Sequence, residues 1–321
     1  MCKLSIIVIS YNEAEYLPSA LDSIINQNYE YEYEIIIGDD GSTDGSINII
    51  KKYEEEYPMI HHFVMSRADI IDVKMLIPSI RATKIVKKAL ENAKGEYVKI
   101  LSGDDFLLGK DILSIQTEFL DKNLDYASCY SDYKWVYKNG DRLIHLPKCS
   151  NEILWAAQYI HISCFMFRNN IDDFILERFA DDIGLVYSIY RSGKSGHIDY
   201  CGFGYRQREK SIMHKSDRLE ICISELMVYQ DILNKNIEDK STRAHFSLAN
   251  KYVYFNRKKL KKDKYKKYIE NCAVYDHDII GSYIKCSEKI LAERVKINIA
   301  IDKSIIYRFM YTIKKYLSRK G

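Results

Sequence analysis

The sequence predicts an α/β protein with a mostly parallel central sheet, and three observations carry that expectation. Short apolar runs recur at residues 4–9, 33–37, 60–65 and 97–101. Amphipathic segments with apolar residues three and four apart lie between them, at 18–25, 47–57 and 75–93. Strands separated by helices of this length need crossover connections, which place parallel strands in one sheet with helices on both faces.

Each element has a local reason. The first run, LSIIVIS, is β-branched and uninterrupted, as a strand buried on both faces is. Pro18 suits the first turn of the helix that follows. The second run, YEIIIGDD, ends abruptly in GSTDGS, whose glycines and hydroxyls suit a turn and a cap for the helix from Ile47. After Asp111 the pattern changes to a helix at 112–120 and a strand at 127–130. Next comes DYKWVYKNGDRLIHLP, where an Asn139-Gly140 step between two β-like runs predicts a hairpin. A strand at 163–167, a helix at 183–190 and a strand at 200–205 follow. Beyond Ser216 strand signals almost vanish. We therefore expect one domain over 1–215, divided into 1–105 and 106–215, and a helical C-terminal region over 216–321.

Composition excludes some classes. With 48 Lys and Arg against 45 Asp and Glu, a net charge of +3 does not suit a strongly basic nucleic-acid binder or an acidic disordered chain. Eight cysteines stand singly, without a CxxC pair, which predicts reduced thiols and a cytoplasmic protein without a zinc site. No apolar run approaches the roughly 18 residues that span a bilayer.

The acidic strand ends call for chemistry. In open α/β sheets, ligands bind beyond the carboxyl ends of the strands, and Asp39-Asp40 and Asp104-Asp105 both fall there. A calcium loop is excluded, since Lys51 stands where a bidentate Glu is needed and the preceding segment is a strand. The usual phosphate cradles are absent, because YNEAEYL after the first strand has no glycine. Paired carboxylates on buried strands repel unless a cation or donor compensates, and hard oxygen ligands of this kind suit Mg²⁺ or Mn²⁺ shared with a diphosphate.

The ordered set LSIIVISYNEAEYLPSALDSIINQ, YEIIIGDDGSTDGS and AKGEYVKILSGDD resembles the start of the family-2 glycosyltransferases, inverting enzymes of the GT-A nucleotide-sugar fold. That resemblance implies a nucleoside along Ser10, Tyr11, Asn12 and Glu13, a base contact at Asp40, and a metal, Mn²⁺ or Mg²⁺, on Asp104. Asp105 would accompany the ligand. Ser102 departs from the family's pattern, standing where the first aspartate of its D-x-D belongs. Arg81 falls at a spacing that implies either a diphosphate contact or an exposed helix position. Asp181-Asp182 matches the family's acidic pair, so Asp182 is the expected general base. YRQR, ending in Arg206 and Arg208, resembles a Tyr-Arg-x-His element near the diphosphate, with Arg208 in place of His; His214 is a second, weaker candidate there. The expected partners are a nucleotide-sugar donor and a glycan or lipid-linked glycan acceptor in surface polysaccharide or glycolipid synthesis, with no nucleic acid. Aromatic residues Tyr133, Trp135 and Tyr137 of the hairpin are either core residues or faces for a sugar.

Basic runs at 257–267 and 303–321 suit either a solvated helix face or peripheral contact with the inner, anionic face of a membrane. Two other functions are weighed. A scaffold that binds nucleotide-sugar without turnover draws on Ser102 and Arg208. A sugar nucleotidyltransferase would need a Gly-rich loop after the first strand, which SYNEAEYL lacks.

Overall fold

A computed structural model describes residues 2–67, 78–151, 154–155, 161–170, 182–208 and 218–234, together with 242–243, 245–246, 249 and 252–253. Contacts divide the chain into two units, one of Met1–Ser150 with Ile160–Lys215, the other of Asn151–Tyr159 with Ser216–Gly321.

The first unit is built on one sheet. β1 (Leu4–Ser10) lies between β2 (Tyr33–Asp39) and β4 (Tyr97–Ser102), with β3 (Ile60–Val64) outside β2, and all three pairings are parallel. The connecting helices are α1 (Leu17–Ile25), α2 (Ser46–Glu56) and α3 (Pro78–Asn92), as the spacing predicts. β1 is buried almost throughout, with Leu4, Ile6, Ile7 and Val8 inaccessible to solvent. α3 packs on β1 and β2, and Gly38 permits it: a Cβ there would stand 2.2 Å from Ile85 Cγ2.

Past β4 the sheet becomes mixed. The described order is β3-β2-β1-β4-β8-β6-β9-β5, with β7 on β6. β5 (Phe106–Leu107) precedes α4 (Ile112–Lys122), and β8 (Phe165–Arg168) runs antiparallel to both β4 and β6 (Tyr126–Tyr137). β6 pairs in parallel with β9 (Lys194–Arg206), which follows α5 (Asp182–Ser192). Strand direction is not encoded in hydrophobic period, so the sequence's mostly parallel pattern holds for β1 to β4 and gives way beyond.

Some elements outgrow their sequence signals. β6 fuses the strand expected at 127–130 with the first arm of the hairpin, whose second arm is β7 (Gly140–Ile144); Tyr137 pairs with Gly140, which has φ of 126°. β9 begins six residues before the expected 200, in polar KSGHID, which pairs with β6; Gly196 within it lies against the Phe119 ring of α4, where a Cβ would stand 2.1 Å from Cζ. The run expected at 163–167 opens as a 3-10 turn, Ile162–Cys164, before β8. Lys99 pins these pieces. Its buried Nζ donates to Gln116 Oε1 at 3.0 Å, Ser163 O at 2.9 Å and Phe165 O at 3.2 Å, and burial pushes the ammonium down to about 8.

In the second unit, α6 (Arg218–Asn234) buries Leu219, Cys222, Leu226, Tyr229 and Ile232. Trp155, 1 % exposed, donates its Nε1 to Thr242 Oγ1 at 2.9 Å. The basic runs at 257–267 and 303–321, and His214, lie outside the described residues. No helix among the described residues is long and apolar enough to cross a membrane. The six described cysteines are free thiols.

Candidate active site

Strand order reverses between β1 and β4, which opens a crevice beyond their carboxyl ends. The loop after β1 meets the loop after β2 there, through side chains of DDGSTDGS. Thr43 N donates to Asn12 Oδ1, Asn12 N to Ser42 Oγ, Glu13 N to Ser46 Oγ and Ala14 N to Asp44 Oδ2. Asn12 adopts φ of 53° to do so. Asp39 accepts from both the N and the Oγ of Ser42, and Asp44 from both the N and the Oγ of Ser46. Two of the three aspartates therefore serve the turn, as Asx-type chemistry allows.

Asp40 does something else. It is 5 % exposed, its N donates to Ser10 O at 2.8 Å, and its carboxylate lies between two guanidiniums. Arg81 Nε donates to Oδ1 at 2.5 Å, and Arg67 Nη2 pairs with Oδ2 while Arg67 Nε donates to the Asp40 carbonyl at 2.6 Å. Burial pushes the Asp40 carboxyl above its ordinary range, and the two arginines act against that rise. Arg81 is thus neither an exposed helix arginine nor turned out to the crevice: it is 1 % exposed and also donates to Met65 O at 2.9 Å. Arg67 stacks on Tyr11, with its guanidinium carbon 3.7 Å from the ring centroid. Sequence reading missed Arg67; its one signal is its place just past the end of β3.

On the other flank of β1, three carboxylates crowd together. Gly103 N donates to Ile9 O at 2.8 Å, and a Cβ on Gly103 would stand 2.5 Å from Glu13 Oε2, so the turn before Asp104 presses on Glu13. Arg208 bridges Glu13 Oε1, at 3.2 Å, and Asp104 Oδ2. Asp105 Oδ1 accepts from Arg206 N at 2.9 Å. Glu13, Asp104 and Asp105 are 7, 6 and 1 % exposed, and Glu13 Oε2 and Asp105 Oδ2 have no hydrogen-bond partner among the described residues. Burial pushes the Glu13 and Asp105 carboxyls well above the usual range, and the charge of Asp104 adds to both rises. Arg206 donates to Ser19 Oγ at 2.5 Å and lies over the Phe106 ring. The two flanks sit at the ends of β2 and β4, one strand to either side of β1, hence roughly 10 Å apart at sheet spacing.

Of the predicted residues, Glu13, Asp104, Asp105, Arg206 and Arg208 form one cluster, and Tyr11, Asp40 and Arg81 form the other. Ser10, at the end of β1 with a buried Oγ that has no partner among the described residues, and Asn12 on the loop after it stand between them. Ser102 contributes its carbonyl to Asp105 N. Asp182 opens α5, but its side chain and all of Asp181 lie outside the described residues. In the hairpin, Tyr133 is buried, Trp135 lies beside Arg142, and Tyr137 is exposed. A further buried carboxylate was not anticipated: Asp132 accepts from Leu146 N and meets His145 Nδ1 at 2.7 Å and His197 Nε2 at 2.8 Å.

Among the described residues no three His, Cys, Asp or Glu converge as a ready metal cage. The donor set nevertheless fits a divalent ion that also draws ligands from a bound molecule. The orphaned oxygens of Glu13 and Asp105, and carboxylates outnumbering the cations beside them, are compensated by such a charge.

Residues 5–69 match the family described as glycosyl transferase family 2, the family that the motifs of this segment resemble. TuaG of Bacillus subtilis, named for a role as a teichuronic acid biosynthesis glycosyltransferase, is 33 % identical over 148 residues, covering 45 % of this chain and 53 % of its own. The chain spans about half the length of the first curated relatives it matches. Staphylococcus aureus TarS, solved over residues 1–349 with UDP-GlcNAc, superposes with a TM-score of 0.59 at 19 % identity, covering 84 % of this chain and 79 % of that one. A mannosyltransferase of Pyrobaculum calidifontis, solved with GDP-Man and Mn²⁺, superposes with a TM-score of 0.51 at 15 % identity, covering 94 % of this chain and 88 % of that one. The mixed sheet with its helices is the GT-A fold that the sequence predicts.

Proposed function

We propose that this chain, with its family-2 glycosyltransferase segment and GT-A fold, transfers a sugar with inversion from a nucleotide-diphosphate donor to a hydroxyl of a surface polysaccharide or glycolipid. The observation that carries the reading is the meeting of the β1, β2, β4 and β9 ends, which sets Asp40 on one flank and Glu13, Asp104, Asp105, Arg206 and Arg208 on the other. A nucleotide diphosphate needs both: a polar edge for its base and compensated charge for its phosphates. The teichuronic acid relative supports a surface glycan, and the solved relatives with UDP-GlcNAc and GDP-Man support a nucleotide-sugar.

Asp104, with Asp105 and Glu13 beside it, would hold Mn²⁺ or Mg²⁺, which stabilises negative charge on the leaving diphosphate. Arg206 and Arg208 supply guanidiniums on the same side. Asp182, at the N-terminus of α5, takes the proton of the acceptor hydroxyl as its oxygen attacks the anomeric carbon, while the bond to the diphosphate breaks on the opposite face. A helix N-terminus favours the carboxylate form that this role requires.

The test is release of nucleoside diphosphate from a panel of nucleotide-sugars, with Mn²⁺, Mg²⁺ or a chelator, by the full chain and by Asp182→Asn. Transfer should vanish in the variant, with donor affinity within about twofold of the parent, because a base acts on the acceptor and not on the donor. Retained turnover removes Asp182 from the mechanism. A second reading, donor binding without turnover, is favoured by Arg208 occupying Asp104 and Glu13; saturable binding by the parent chain with no diphosphate released under any metal would establish it.

A further inference from the structure

We propose that the β6–β7 hairpin is a shelf for the acceptor, and that the segment it takes is an anionic glycan whose sugar rings carry carboxylates. The proposal names the acceptor class for the transferase reading and rests on that reading.

The hairpin is joined directly to the donor side. Val136 pairs with Arg206 of β9, and Gln207 N donates to Val136 O at 2.9 Å, while Arg206 N is the group that reaches Asp105. Paired strands lie about 5 Å apart, so Tyr137, the next residue of β6, stands beside the strand end that enters the β4 flank. A buried charge fixes the root. Asp132, 2 % exposed, accepts from Leu146 N at 2.8 Å and meets His145 Nδ1 and His197 Nε2, which ties β6 to β9 and to the chain leaving β7. A buried carboxylate with three partners holds the hairpin in one geometry, and a plain connection between two strands needs no such anchor.

The surface so held is both aromatic and basic. Trp135 and Tyr137 occupy alternate positions on one face, their ring centroids 6.4 Å apart and edge to face, and Tyr137 is 43 % exposed. Arg142, directly across from Trp135 on β7, is exposed and places its guanidinium carbon 5.4 Å from the centre of the Trp135 ring. Within 134–142, Lys134 and Lys138 add positive charge against Asp141 alone. The apolar C–H face of a sugar ring lies flat on an aromatic ring, and a carboxylate takes a guanidinium in two parallel hydrogen bonds. Cation and aromatic faces share one patch here. The matching anion therefore sits on the stacked sugar itself, as in a uronate, and not in a phosphodiester between sugars.

Calorimetric titration of the full chain with hexagalacturonate tests this. Maltohexaose supplies rings without charge, a short polyphosphate supplies charge without rings, and a short oligothymidylate stands for single-stranded nucleic acid. The parent should bind hexagalacturonate at least about 10-fold more tightly than maltohexaose or polyphosphate. Tyr137→Ala should weaken that binding about 3- to 10-fold and leave polyphosphate unchanged, whereas Arg142→Gln should weaken it to a similar extent and leave maltohexaose unchanged. Lys51→Gln, the same charge change on an exposed position of α2, should move it by less than about twofold. A loss there equal to that of Arg142→Gln overturns the proposal, because net charge alone would then explain the binding. So does polyphosphate or oligothymidylate binding as tightly as hexagalacturonate, or a Tyr137→Ala variant that binds as the parent does. Both altered hairpin side chains are exposed, and the parent's ranking of the four ligands needs no variant. Titration with UDP and GDP in the presence of Mn²⁺ separates the two readings. Nucleotide binding without hexagalacturonate binding overturns the shelf alone, whereas a parent that binds neither nucleotide overturns the donor-site reading and the acceptor role with it.

Discussion

The two flanks of β1 resolve their charge in opposite ways. On the β2 side one carboxylate, Asp40, is met by two arginines, Arg67 and Arg81. On the β4 side, among the described residues, three buried carboxylates share the Arg208 guanidinium and one backbone N–H, from Arg206, and two of their oxygens go unpartnered. The first arrangement is settled within the fold, so its ligand must bind by matching an edge. The second holds negative charge that folding alone does not reward, since burial and mutual repulsion push Glu13 and Asp105 toward the protonated form. Such unresolved electrostatics mark the flank where a cation and a leaving group would be managed.

The largest expected effect breaks the comparison on the β4 side. Asp104→Asn removes a charge at constant size, and diphosphate release should fall on the order of 10²–10³-fold, the usual loss when one electrostatic element of a site is removed. Thermal stability should hold or rise in the same variant, because Glu13 and Asp105 lose a like-charged neighbour. Unchanged turnover would place the chemistry elsewhere, and a large drop in stability would show that Asp104 is a structural partner of Arg208.

The β2 side should show the reverse balance, with stability ahead of chemistry. Arg81→Met strips a guanidinium that is 1 % exposed from a carboxylate that is 5 % exposed, and should cost about 3 kcal/mol in urea unfolding, as losing one half of a buried pair does. Arg67→Ala, on a partly exposed side chain, should cost about 1 kcal/mol or less in the same measurement. Equal costs would mean that burial does not distinguish the two arginines.

How much of this the sequence announces depends on whether the signal is local. β1, β2 and β4 are legible because continuous β-branched runs report burial on both faces, and Asp104 because an acid at the end of such a run conflicts with it. The hairpin is legible from Asn139-Gly140. The first half of β9 is not, since KSGHID has neither alternation nor apolar bulk, and its place comes from pairing with β6. Arg67 and Arg81, fourteen positions apart, meet on Asp40 only once β2 and α3 are placed, and nothing in MSRAD marks the first of them. Asp132 is hidden for the same reason: its partners His145 and His197 lie 13 and 65 residues away.

The smallest effect sharpens the distinction within a single loop. Asp44 accepts from Ser46 N and Oγ with one oxygen and from Ala14 N, across the crevice loops, with the other. It thus acts at the N-terminus of α2 much as a capping residue does, and Asp44→Ala should cost about 1 kcal/mol of stability. Nucleotide affinity should change by less than about twofold, since lacing the loops through Asn12, Ser42 and Ser46 still leaves three backbone N–H bonds in place. Asp40→Asn, four positions away, should do the opposite and act first on binding. If Asp44→Ala instead abolished nucleotide binding with the fold intact, the boundary between turn and site would run through the whole of DDGSTDGS. The carboxylates there would differ in which donor they face, not in purpose.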